Sequence, residues 1–166
     1  MLTEAERVFI GLGSNLGDSS AYLSSAISAI SRLRVTTKDI VSPFYLSRPL
    51  INEASQPDYL NAVLAVFTRL EPMQLLTHLQ HIEQLHDRQR SSARWASRTL
   101  DLDILLFGNR EISSPTLTVP HPELTHRDFV LYPLNDIAPN LEIVGVGVLA
   151  NLVRQCPDRG LTKLND

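Results

Sequence analysis

Asp101 and Asp103 are the residues whose types and spacing predict chemistry most directly, because one leucine separates the two carboxylates. They open an apolar run, residues 101–107, that alternates in the manner of a β-strand. Residues two apart on a strand share a face, so their Cα atoms are about 6.5 Å apart and the carboxylates repel by about 2–3 kcal/mol at an effective dielectric near 20. A divalent cation offsets this cost, and oxygen-only ligands favour Mg²⁺ or Mn²⁺ over Zn²⁺.

Arginines precede the two aspartates in a stretch without acidic residues, at Arg88, Arg90, Arg94 and Arg98. Guanidinium groups bind phosphate bidentately, and a polyphosphate is the anion that Mg²⁺ usually accompanies. The alternative is a solvated edge strand beside an arginine-rich loop without special purpose. The combination of arginines, paired carboxylates and a buried run favours the phosphate-and-metal interpretation.

The composition predicts one compact domain over residues 1–166, with 43% hydrophobic and 20% charged residues. A net charge of −3 gives no global basic field that would attract nucleic acid. The single cysteine, Cys156, excludes an internal disulfide and a cysteine-based zinc site. No secretory leader and no long apolar run are visible, so we expect a cytoplasmic protein without membrane contact.

Hydrophobic periodicity predicts six elements in the ferredoxin-like order β-α-β-β-α-β, an α/β fold with C-terminal additions. The six are a strand at 7–13, a helix at 20–33, a strand at 34–46 broken near Pro43, a strand at 58–69, a helix from Pro72 to about His86, and the strand at 101–107. The additions are short strands at 117–119 and 141–144 and short helices at 125–131 and 148–155. Two apolar stripes are expected to face the core, and they are Leu75, Leu76, Leu79, Ile82 and Leu85 on the second helix and Leu100, Leu102, Ile104 and Leu106 on the last strand.

The run Arg94-Trp-Ala-Ser-Arg-Thr-Leu-Asp-Leu-Asp-Ile-Leu105 resembles the signature of the 6-hydroxymethyl-7,8-dihydropterin pyrophosphokinases of folate biosynthesis. The similarity continues through nearly the whole chain, in Gly13-Ser-Asn-Leu16, Gln56-Pro-Asp-Tyr-Leu-Asn61, Leu117-Thr-Val-Pro-His121 and Tyr132-Pro-Leu-Asn-Asp-Ile-Ala-Pro139. The resemblance implies an α/β sandwich that transfers pyrophosphate from ATP to the hydroxymethyl group of the pterin. It also implies two Mg²⁺ ions held by Asp101 and Asp103 along the ATP phosphates.

The resemblance further implies which residues bind the substrates and act on them. It makes Arg88 and Arg98 the catalytic arginines, and Trp95 part of a loop that closes over the substrates. For the pterin it implies Tyr59 and Phe129 as aromatic walls, Asn61 as the ring's hydrogen-bond partner, and groups near Ser47 and Leu50. For the nucleotide it implies Gln80, Glu83, Arg90, Arg94, Ile104, Thr118, His121 and Arg127.

Several of these residues have a simpler structural interpretation. Tyr59 and Asn61 share one strand face, which suits a joint role, but Tyr59 could equally be core and Asn61 the end of the strand. Gln80 and Glu83 could be helix surface, and a lone histidine such as His121 is more often structural than functional.

Two alternative functions stand beside that of a monomeric pyrophosphokinase acting on ATP and a pterin. One is another Mg²⁺-dependent kinase or nucleotidyltransferase that uses the same metal and arginine site. The other is a non-catalytic ferredoxin-like module that binds RNA.

Overall fold

The computed structural model describes residues 4–48, 57–86 and 99–164. In chain order its elements are β1 (Glu6–Ser14), α1 (Ser19–Ser31), β2 (Thr36–Val41), β3 (Tyr45–Ser47), β4 (Tyr59–Thr68), α2 (Pro72–Leu85), β5 (Asp101–Phe107), β6 (Ile112–Ser113), β7 (Thr118–Val119), a 3-10 turn (Leu124–His126), α3 (Asp128–Ile137), β8 (Glu142–Ile143), β9 (Gly147–Val148), α4 (Leu149–Gln155) and β10 (Thr162–Lys163).

Within these ranges the central sheet is antiparallel and has six strands. Its order is β10-β3-β4-β1-β5, and β2 pairs with the far end of β4, beyond β3. The chain leaves the β2 edge at Ser42 and Pro43, where the Ser42 hydroxyl accepts the backbone N–H of Val63 at 2.9 Å. The predicted break near Pro43 is therefore confirmed, and β1, α1, β2, β4, α2 and β5 give the expected β-α-β-β-α-β order.

The two faces of the sheet carry separate cores. The helices α1 and α2 cover one face, where fully buried Leu23 and Leu79 pack with the apolar residues of alternate strand positions, such as Ile10 and Leu64. The helices α3 and α4 cover part of the other face, where Leu131 lies in a second cluster. Each fully buried leucine stabilises the fold by about 1.5–3 kcal/mol. Burial of apolar side chains therefore stabilises the packing of helices on both faces of the sheet.

Helix ends follow local chemistry. The Asp18 carboxylate accepts the backbone N–H of Ala21 at 3.1 Å and begins α1. A capping box between Glu71 and Gln74 begins α2, with Pro72 in its first turn. These two starts agree with the positions expected from the sequence.

Three expectations about the fold need correction. Leu85 is 68% exposed because the buried side of the last turn of α2 carries Glu83 instead. Leu106 faces the α3 side, since a register shift between Phe9 and Ile10 of β1 changes the alternation of β5. The helix expected at 125–131 is a 3-10 turn followed by the longer α3. The strands β6, β9 and β10 were not expected at all.

The C-terminal segment, residues 156–164, lies against α3 and β3. The Tyr132 hydroxyl donates to the carbonyl of Cys156 at 3.0 Å, and the buried Asp128 carboxylate accepts the backbone N–H of Arg159 at 2.9 Å. The segment then adds β10 to the edge of the sheet beside β3. It therefore ties the start of α3 to the strand that carries Ser47.

Tyr45 is the centre of this attachment. Its buried hydroxyl donates to the Asp136 carboxylate of α3, and the Lys163 ammonium of β10 lies 3.4 Å from the same carboxylate. Burial, with the neighbouring Asp136 charge, raises the pKa of Tyr45 well above its usual value of 10.0.

Replacing Tyr45 with phenylalanine should lower the free energy of unfolding by about 1–2 kcal/mol at neutral pH, because a hydrogen bond to a charged group is lost. A raised pKa in the folded state means that the tyrosine's contribution is complete below about pH 10 and falls as the pH rises further. Urea unfolding of both proteins at pH 8 and pH 10.8 measures this. A difference that is equal at the two pH values contradicts the assignment.

Candidate active site

Asp101 and Asp103 lie where the alternation predicts, on the face of β5 opposite the buried Leu102. Asp101 is half-buried and Asp103 is exposed, so solvent reaches the pair. By strand register Asp101 lies opposite Gly13 of β1, and Asp103 lies opposite Gly11. The Leu105 side chain lies beside Gly11, whereas Gly13 has no side chain to cover Asp101, so among the described residues a cation with its hydration shell can approach over Gly13 from the α3 side of the sheet.

The carboxylate oxygens of Asp101 and Asp103 suit a hard cation such as Mg²⁺ better than they suit zinc. Among the residues that the structure describes, no three His, Cys, Asp or Glu side chains come together as a metal site. A pair of carboxylates open to solvent suits Mg²⁺, which usually takes one or two carboxylates and completes its shell with water and substrate phosphate.

Glu83 supports the strand segment between the two aspartates. Its side chain is only 4% exposed, and one carboxylate oxygen accepts the backbone N–H of Leu102 at 2.9 Å. Because β5 is an edge strand, this N–H points away from the sheet and would otherwise lack a backbone partner. Glu83 therefore fixes the backbone from which both aspartates project.

Glu83→Ala should lower the free energy of unfolding by about 1–3 kcal/mol, since a buried backbone donor loses its acceptor. Gln84→Ala, at the neighbouring exposed position of α2, is the control and should unfold like the wild type. The midpoint of urea unfolding measures both. Equal midpoints for Glu83→Ala and the control would show that the contact contributes nothing.

Asn61 is buried on β4, with a side chain that is 4% exposed. Its amide nitrogen donates to the hydroxyl of Ser47 at 2.7 Å and lies 3.3 Å from the carbonyls of both Tyr45 and Tyr59. Both amide hydrogens are therefore used within the protein. The amide oxygen has no hydrogen-bond donor among the described residues, and it lies 3.6 Å from the point where a Cβ on Gly13 would stand.

One line of residues crosses four strands on this face. The registers pair Tyr45 with Asn61, Asn61 with Gly13, and Gly13 with Asp101. Strands are about 4.8 Å apart, so the backbone positions of Asn61 and Asp101 are separated by about 10 Å. An amide acceptor and a carboxylate pair thus face the same side of the sheet, with a glycine between them.

His121 is brought to the carboxylates by its backbone. Its N–H donates to the carbonyl of Leu105 at 2.9 Å, which anchors the loop after β7 to β5. The ring nitrogen Nδ1 accepts the N–H of Glu123 at 3.1 Å, so the neutral ring carries its hydrogen on Nε2. Burial lowers the pKa of His121; the nearby Asp103 charge opposes that shift and Arg127 adds to it.

The other residues expected at the site differ in burial, and some of them lie outside the described residues. The Arg127 guanidinium lies 5.6 Å from the ring centre of Phe129, which is half-buried in the first turn of α3. Gln80 and Thr118 are exposed. Ile104 is 3% exposed in the core on the α1–α2 side, so only its backbone can meet a nucleotide on the carboxylate face. Leu50, Arg88, Arg90, Arg94, Trp95 and Arg98 lie outside the described residues.

In the sequence, Gly13 stands out only as the last residue of the strand predicted at 7–13 and the first residue of the motif Gly13-Ser-Asn-Leu16. The available signal was a glycine inside a strand, which often marks a place where a ligand comes close to the backbone. The structure adds its position between Asn61 and Asp101.

None of the described helices combines the length with the apolar character that a membrane span requires.

Solved structures share this fold. A crystal structure of Plasmodium falciparum HPPK-DHPS, wild type with pteroate, has a TM-score of 0.72 at 14% identity and covers 92% of this chain. A structure of HPPK-DHPS in complex with substrates has a TM-score of 0.69 at 14% identity. This chain spans 42% and 43% of those two chains. The class is therefore a ferredoxin-like α/β domain, here with a carboxylate pair on the last strand of the motif.

Sequence comparison is more specific. The family model for 7,8-dihydro-6-hydroxymethylpterin-pyrophosphokinase matches residues 9–139, and the chain belongs to this family. A 2-amino-4-hydroxy-6-hydroxymethyldihydropteridine pyrophosphokinase of Pseudomonas aeruginosa is 45% identical over 96% of this chain and 97% of its own length. The protein of the same name from Haemophilus influenzae is 45% identical over 95% and 97%, and that of Bacillus subtilis is 40% identical over 81% and 79%.

Proposed function

We propose that this protein transfers pyrophosphate from ATP to the hydroxymethyl group of 6-hydroxymethyl-7,8-dihydropterin, a step of folate biosynthesis. The products are AMP and the dihydropterin diphosphate. Family membership supports the reaction, and the alignment of Asn61, Gly13 and Asp101 across the sheet is the structural observation that carries it. A ring bound at Asn61 and phosphates bound near Asp101 would meet above Gly13.

Asn61 is the proposed recognition group for the pterin. Because Ser47 and two carbonyls take its amide hydrogens, the group that remains to meet a ligand is the oxygen, an acceptor. It therefore selects a ring that presents an N–H, as the pterin does, and rejects a ring with only acceptors there. Tyr59 lies beside it and Phe129 at the start of α3, and we assign them as the aromatic walls. Ser47 orients the amide, and Leu50 is assigned on the resemblance alone.

Asp101 and Asp103 are the proposed ligands of Mg²⁺, with two ions present when ATP is bound. The bound ions supply charge neutralisation and orientation of the phosphates. His121 donates from Nε2 and Arg127 contributes positive charge on the same side, which suits both to the phosphate chain. Gln80, Glu83, Ile104 and Thr118 are assigned to the nucleotide on the resemblance.

In the reaction the hydroxymethyl oxygen attacks the β-phosphorus and forms a new O–P bond. The bond from the β-phosphorus to the oxygen that bridges to the α-phosphate breaks, and AMP leaves with that electron pair. The hydroxyl proton passes to solvent. Charge on the moving group needs cationic neighbours, and we assign Arg88 and Arg98 to this role, Arg90 and Arg94 to phosphate binding and Trp95 to the loop that closes over the substrates.

We further propose that one chain forms a single domain and acts as a monomer on these small molecules, without nucleic acid or membrane. The support is that Asn61, Gly13 and Asp101 lie on neighbouring strands of one sheet within a single chain. Size-exclusion chromatography with light scattering at the assay concentration tests this, and a stable dimer would contradict it.

Mass analysis of the products tests the reaction itself. With ATP, Mg²⁺ and the hydroxymethyl dihydropterin, we expect AMP and a dihydropterin diphosphate in equal amounts. ADP with a pterin monophosphate would indicate an ordinary kinase. Free pyrophosphate with an adenylylated pterin would indicate nucleotidyl transfer. RNA binding without ATP turnover would indicate a binding module.

A further inference from the structure

Gly13 occupies a strand position whose backbone does not require glycine. The glycines with positive φ are at other positions, in turns and loops such as Gly17 and Gly108. Gly13 instead forms a regular antiparallel pair with Asn61 on one side and with Asp101 on the other. A glycine in a strand interior weakens the strand and packs against nothing. The missing side chain must therefore have another use at this position.

Within the part of the chain that the structure describes, the space above Gly13 is open, whereas the equivalent space above Gly11 is filled. A Cβ on Gly11 would stand 3.4 to 3.6 Å from the side chain of Leu105, which already covers that glycine. Among the described residues, a Cβ on Gly13 would have only the Asn61 oxygen at 3.6 Å and the Tyr59 ring at 4.0 Å as neighbours within 4 Å. Both distances are ordinary van der Waals contacts, so the fold can accept a methyl group at Gly13.

The Asn61 oxygen gives an independent reason to place a ligand in this space. The side chain is 4% exposed, its two amide hydrogens are used by Ser47 and by carbonyls, and its oxygen has no donor among the described residues. Among the described residues, the only buried side-chain polar atom without a partner is the Thr99 hydroxyl oxygen, so the Asn61 oxygen is itself accessible and can accept a hydrogen bond from a ligand or from water. The acceptor lies on the side of Gly13 and next to the open space.

We propose that Gly13 is a specificity-determining residue, whose missing side chain leaves room for the hydroxymethyl group of the acceptor between the ring site and the phosphate site. The proposal rests on the proposed function. With the ring at Asn61 and the phosphates near Asp101, the attacking oxygen and its carbon must cross the one strand between them, and that crossing passes over Gly13. A methyl group there displaces the oxygen from the β-phosphorus and leaves both ends of the site intact.

The test compares Gly13→Ala with Gly11→Ala, a matched variant on the same strand and face. Displacing a reacting atom by about 1 Å can cost about 100-fold in rate, so Gly13→Ala should lower kcat with the hydroxymethyl dihydropterin by about that factor. The KM for ATP, and the affinity for a dihydropterin that lacks the 6-hydroxymethyl group, should stay close to wild type. Gly11→Ala should react like the wild type.

Each other outcome overturns the inference. Near-normal kcat in Gly13→Ala shows that the space is not used. Loss of affinity for the unsubstituted dihydropterin as well shows that the ring itself lies over Gly13. Failure of Gly13→Ala to fold, judged by circular dichroism, shows that the space is not open. If the wild type itself makes no dihydropterin diphosphate, the proposed function fails instead, and the two failures are therefore distinguishable.

Discussion

Asp101→Asn and Asp103→Asn should each lower pyrophosphoryl transfer by at least about 100-fold, because removing one preorganised charge at a phosphoryl site usually costs that much or more. The amide keeps the shape of the carboxylate but is a poor ligand for Mg²⁺. Initial rates of AMP formation at saturating Mg²⁺ measure the effect. Asp39→Asn, at an exposed carboxylate on β2 that pairs with Arg7 at 2.8 Å, is the control and should keep normal rates.

Asp103→Asn should lose activity without losing stability. The carboxylates repel each other by about 2–3 kcal/mol at an effective dielectric near 20, and solvent around the exposed Asp103 reduces this figure. Removing the charge of the exposed Asp103 should therefore leave the Tm unchanged or raise it in the absence of metal and nucleotide. Near wild-type turnover in either variant at saturating Mg²⁺ means that the metal assignment is wrong.

Asn61→Leu should lower kcat/KM for the pterin by about 100-fold or more, because a site built to accept a hydrogen bond loses its acceptor. The KM for ATP should not change, since the nucleotide is assigned to the other end of the site. Isothermal titration with the hydroxymethyl dihydropterin in the presence of a non-hydrolysable ATP analogue measures the same loss as affinity.

Ser47→Ala is a smaller change than Asn61→Leu, and it tests the hydrogen bond that orients the Asn61 amide. It keeps the Asn61 oxygen but removes the hydroxyl that accepts the amide hydrogen at 2.7 Å, so it should cost about tenfold, the size of one ordinary hydrogen bond. If Ser47→Ala and Asn61→Leu bind the pterin as well as the wild type does, Asn61 is only a buried structural amide.

The pattern of apolar residues was sufficient for the main fold, and its failures have local causes. The apolar patterns of residues 58–69 and 101–107, and Pro72 at the start of α2, predicted strands and a helix close to those found. Leu106 was placed on the wrong face because a β-bulge depends on pairing with β1, which a single strand's pattern does not show. The short strand β10 was not predicted because its strand conformation depends on contacts with β3 and Asp136.

The site was predictable in its residue types and less so in its geometry. The spacing of Asp101 and Asp103 placed both on one face, and the structure agrees. The sequence spacing alone does not predict that Asn61, Gly13 and Asp101 lie in line. Their alignment depends on the registers of β4 and β5 against β1. The burial of Glu83 was also not visible in the sequence, since its partner is a backbone N–H on a distant strand.

A crystal structure with Mg²⁺, a non-hydrolysable ATP analogue and the hydroxymethyl dihydropterin tests the account most directly. We predict cations that touch both Asp101 and Asp103, a ring that donates to the oxygen of Asn61, and the hydroxymethyl carbon above Gly13. Carboxylates without a cation and directed away from the phosphates, with the pterin bound elsewhere, would contradict it.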